Sequence, residues 1–74
     1  MTTLKKEDKA QIIEARLRAV EVKKYSLEVD LMVENNKNEP AEEAIANLNS
    51  AIQECNNQMS VLNQELTTVN QLEE

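Results

Sequence analysis

A chain of 74 residues with one cysteine, no histidine, no glycine, one aromatic residue and a net charge of −6 has room for one small domain at most. A chain this short buries only roughly 60% of its unfolded surface, so its core ordinarily needs a disulfide, a metal or self-association as a supplement. Cys55 alone excludes an internal disulfide, and the lack of histidine removes the common zinc and iron sites along with Ser–His and Cys–His nucleophiles; self-association is the supplement left.

Tight β-hairpins lean on glycine, and this chain has none, whereas alanine, leucine, glutamate, glutamine and lysine, all good helix formers, are plentiful. The opening MTTLKKEDKAQII carries charges but no apolar run of signal-peptide length, and no segment approaches the apolar length of a membrane span, so a cytoplasmic location without a membrane partner is expected. Every basic residue lies at or before Lys37, while residues 39–74 carry seven glutamates and no base. Such a surface suits no nucleic-acid backbone, which calls for clustered Lys and Arg.

The first predicted helix runs from about residue 5 to about 35. Within it, YSLEVDLMVE (25–34) alternates like a half-buried strand: Tyr25, Leu27, Val29, Leu31 and Val33 fall on one side of a two-residue period. Read as a helix, the same region carries a coiled-coil seam at a and d: Ala10, Ile13, Leu17, Val20, Lys24, Leu27 and Leu31. Glu7, Glu14, Glu21 and Glu28 occupy e sites, and Lys9, Arg16 and Lys23 occupy g sites. A second stripe runs through c and f: Ile12, Ala15, Ala19, Val22, Ser26, Val29 and Val33. Two interleaved stripes mimic strand alternation locally, and the helix needs no phase slip to hold both from Ala10 to Val33, so a helix with two apolar faces is expected.

The second face is the candidate protein interface, formed by Ile12, Ala15, Ala19, Val22, Tyr25, Ser26, Val29, Met32 and Val33. Small residues such as Ala15 and Ala19 are explicable by helix propensity alone, but Ile12, Val22, Val29 and Val33 are chosen neither for propensity nor for water. An apolar strip along a helix of roughly 45 Å calls for a cover.

The break is NNKNEP (35–40), with a loop at about 36–39: asparagine tolerates turn conformations, and Pro40 suits the first turn of a following helix. Glu39, Glu42 and Glu43 would then sit at the positive end of its dipole. The second predicted helix, about 40–72, has an apolar seam without interruption: Ile45, Leu48, Ile52, Cys55, Met59, Leu62, Leu66 and Val69. Asn49, Asn56, Asn63 and Asn70 recur every seven residues beside it, as a neutral solvated flank or as a ladder for a partner helix. The fold class is therefore all-α: residues 1–74 as one antiparallel helical hairpin, completed by oligomerisation into a four-helix or larger bundle. The chain reversal places Lys9 opposite Glu65, and Lys5 and Lys6 near Glu73 and Glu74.

No catalytic, cofactor-binding or metal-binding residue is assigned, and an enzyme or a small-molecule substrate is not expected. Cys55 and Met59 read as seam fillers. Successive e-site glutamates lie about 10 Å apart along the axis, too far to share one ion. In size and helical-hairpin architecture the chain resembles the small co-chaperones of type III secretion needles and some tiny phage-encoded proteins; that resemblance carries over no functional residue. The expected function is a non-enzymatic hairpin that self-associates, with a dimer favoured, or binds a protein partner through the second stripe of its first helix. The alternative is a small acidic inhibitor or decoy acting on a basic host protein, for example one encoded by a phage. Only Glu54 and Glu65 lie between Glu43 and Glu73, a charge spacing too sparse for such mimicry.

Overall fold

The computed structural model describes residues 4–72: two helices, α1 (Lys6–Asn35) and α2 (Glu42–Asn70), pack against each other as an antiparallel hairpin. The strand-like segment 25–34 lies wholly within α1, and there is no strand among the described residues. The apolar residues of α1 fall on two nearly opposite faces and leave the helix almost no net amphipathicity, whereas α2 is clearly one-sided.

The heptad seams face each other. Ile13 on α1 and Cys55 and Val69 on α2 are buried, at 7 %, 1 % and 2 % exposure. The other seam residues are half-buried: Ala10, Leu17, Val20, Lys24, Leu27 and Leu31 from α1, and Ile45, Leu48, Ile52, Met59, Leu62 and Leu66 from α2. Two helices in contact shield only the line between them, so a seam residue keeps one flank in water unless a third helix closes over it. The result is a rod measuring 57 × 20 × 14 Å with a radius of gyration of 17.0 Å, against about 11 Å for a compact domain of this length.

The helix ends are held locally. The Asp8 carboxylate accepts the backbone N–H of Lys5 at 3.4 Å, and Glu7 and Asp8 lie in the first turn, where the helix dipole favours acids. At the other end of α1 the Met32 carbonyl accepts both the side-chain amide of Asn36, at 2.7 Å, and its backbone N–H, at 3.2 Å, which closes the last turn. Pro40 does not enter the first turn of α2 as the sequence suggests. Ala41, extended at φ −82° and ψ 113°, is the N-cap, and the helix opens at Glu42. The Ala41 N–H is engaged by the Glu34 carboxylate across the loop, which places the start of the helix after it. Glu42 and Glu43 occupy the first turn as expected, while Glu39 stays in the loop.

The charge pairing expected across the hairpin is corrected in part. Lys9 and Glu65 form no ion pair, whereas Arg18–Glu21 at 3.9 Å and Lys37–Glu34 at 3.2 Å pair locally, three residues apart. Lys9, half-buried, and Glu65, exposed, flank the seam with long side chains, and holding them together costs more entropy than such a pair returns. The expected proximity of Lys5 and Lys6 to Glu73 and Glu74 falls on the last two residues, outside the described ones.

Candidate functional site

The nine residues of the second stripe are all exposed, on the face of α1 opposite its seam, with Ala19 at the edge beside the groove between the helices. The larger ones range from 37 % exposure at Val29 to 65 % at Tyr25, with Ile12, Val22, Met32 and Val33 between. Neighbours in sequence show the division: Ile13 lies in the seam, and Ile12 faces out. The helix period decides which, since successive residues are turned by about 100°. The stripe is thus continuous and accessible from Ile12 to Val33, over a length of roughly 30 Å at 1.5 Å per residue.

Its borders are polar. Arg18 and Glu21 pair along one edge and, with Val22 and Tyr25, line a shallow depression of about 340 Å³. On the other edge an open groove of about 700 Å³ runs between the helices, lined from α1 by Arg16, Ala19 and Val20 and from α2 by Glu54, Asn57, Gln58, Val61 and Leu62. The groove exists because Ala19 stops at Cβ where its neighbours are bulky. Val61, 64 % exposed, was not among the expected interface residues. The signal for it was slight: it is a single valine at a c position of a helix whose other c and f positions are polar. It widens the apolar surface of the hairpin from one helix to two.

The asparagine stripe lies apart from this face. Asn49, Asn63 and Asn70 are exposed, Asn56 is half-buried, and none of the four side chains makes a hydrogen bond among the described residues. Cys55 sits at the centre of the seam with its thiol sealed from solvent. Among the described residues no group of three or more His, Cys, Asp or Glu side chains converges, and no helix is long and apolar enough to cross a membrane. What the arrangement offers chemically is an apolar face with charged margins, able to exclude water against a complementary surface.

No family model matches the chain, and comparison with curated proteins and with solved structures finds no significant match.

Proposed function

We propose that the protein is a non-enzymatic, self-associating interaction module, whose α1 outer face packs against a second copy to complete a four-helix assembly. The observation that carries this reading is surface. The chain exposes 5828 Å². A folded monomer of 8.4 kDa exposes about 4,600 Å² by the usual scaling with mass. The difference, roughly 1,200 Å², exceeds the roughly 800 Å² per partner of a standard interface.

Energetics point the same way. Three seam residues are buried, and a core that thin is marginal against the entropy of ordering two long helices. Burying Ile12, Val22, Val29, Met32 and Val33 against a partner contributes about 1.5–3 kcal/mol for each side chain fully removed from water. Folding and assembly are then one process, and the polar faces, including the asparagine stripe, are left for whatever the assembly holds.

The test is solution mass by light scattering after size exclusion, across a hundredfold range of concentration. A dimeric or larger mass that persists on dilution supports the reading. A mass of 8.4 kDa at every concentration overturns it.

A further inference from the structure

Resting on that reading, we propose that the second copy docks its α1 antiparallel to the first, with the two Val22 side chains meeting at the twofold axis. Size complementarity is the first argument. The outer face is small towards its N-terminal end, where Ala15 and Ala19 follow Ile12, and bulky towards its C-terminal end, where Tyr25, Val29, Met32 and Val33 lie. Antiparallel docking sets Ile12 against the partner's Val33 and Ala15 against the partner's Val29. Ala19 meets the partner's Ser26, so the backbones approach closely on both sides of the axis. Parallel docking stacks each residue on its own copy. Ala15 and Ala19 then leave a void at one end, while Tyr25 and Met32 force the helices apart at the other, and interiors tolerate neither.

Charge is the second argument. Residues 6–20 of α1 carry four bases and three acids, and residues 21–35 carry two bases and four acids, so the halves differ in sign, +1 against −2. Only antiparallel docking brings unlike halves together. The g edge of the face reads Lys9, Arg16, Lys23, Asp30. Antiparallel about Val22, this edge meets itself: Arg16 lies opposite the partner's Asp30 on both sides of the axis, offsetting the like pair of Lys23 and the partner's Lys23. Parallel, the same edge meets the b residues instead. Arg18 then lies beside the partner's Lys23, and Asp30 faces the uncharged Tyr25, so the repulsion has no counterpart.

A spin label at Glu7→Cys, in a Cys55→Ala background whose helicity is checked by circular dichroism, reads the orientation through the label-to-label distance. Antiparallel docking about Val22 separates the two labels by about 45 Å along the axis, at 1.5 Å per residue, and a label at Asn35→Cys by about 38 Å. Parallel docking brings either pair within roughly 20 Å, the spacing of adjacent helices plus the label arms. Long distances at both ends support the proposal. Short ones overturn it while leaving self-association standing, and a monomeric mass overturns both. The edge pair gives an independent reading: Arg16→Glu weakens the dimer about fivefold, and adding Asp30→Arg restores it. No rescue by the double change overturns the predicted pairing.

Discussion

The carboxylate of Glu34, in the last turn of α1, accepts the backbone N–H of Ala41, the N-cap of α2, at 3.5 Å. The same carboxylate holds the Lys37 ammonium at 3.2 Å, and the Glu34 side chain is only 12 % exposed. One acid at the d register of α1 therefore ties the end of one helix, the loop and the start of the next into a single unit.

Glu34→Ala leaves the Ala41 amide without that acceptor and frees the loop. We expect a loss of about 1–2 kcal/mol, read in thermal denaturation followed by circular dichroism. For a chain of this size, each 1 kcal/mol is worth about 4–8 °C in Tm. Lys37→Ala removes only the outer ion pair and should cost less than about 1 kcal/mol. Equal effects of the two changes would show that the Ala41 bond contributes nothing.

Ile12 and Ile13 are adjacent and chemically identical, and the fold separates them. Ile13→Ala empties a shielded site in the seam and should destabilise the hairpin by about 2–4 kcal/mol. Ile12→Ala removes part of the outer face, so it should shift the mass equilibrium toward monomer while helicity at high concentration stays near native. The pair is compared by light scattering and circular dichroism across protein concentration: the Ile12 variant should recover native helicity at high concentration, where the Ile13 variant still melts earlier.

Val22→Lys and Val29→Lys introduce charge at the middle of the outer face without touching the seam. Light scattering should report dissociation, with the helical signal lost in step at low concentration if folding and assembly are coupled. An unchanged mass in the double variant would sink the interface.

Cys55 is closed off at 1 % exposure. A thiol reagent should modify it at least about 100-fold more slowly in the native protein than in denaturant, because reaction requires opening of the seam. Native-state modification as fast as in the denatured chain would mean that the seam opens freely around it.

The two helices and their inner seams were legible in the residues themselves. The heptad rhythm of Ile45 through Val69, and its counterpart from Ala10 through Leu31, requires only that a helix turn by a fixed angle per residue and that apolar side chains share one side. The outward direction of Ile12, Val22, Val29 and Val33 follows from that geometry as soon as the seam is known. Glu34 was different. An acid at the d register has no partner visible along its own helix beyond Lys37, three residues on, and only the reversal of the chain brings the Ala41 amide to it. The same holds for Val61, an isolated valine in sequence, which becomes part of an apolar groove because Ala19 on the other helix leaves room beside it. Periodicity is a property of one helix and is written along the chain. A latch or a groove is a property of two helices at one distance and register, which packing decides.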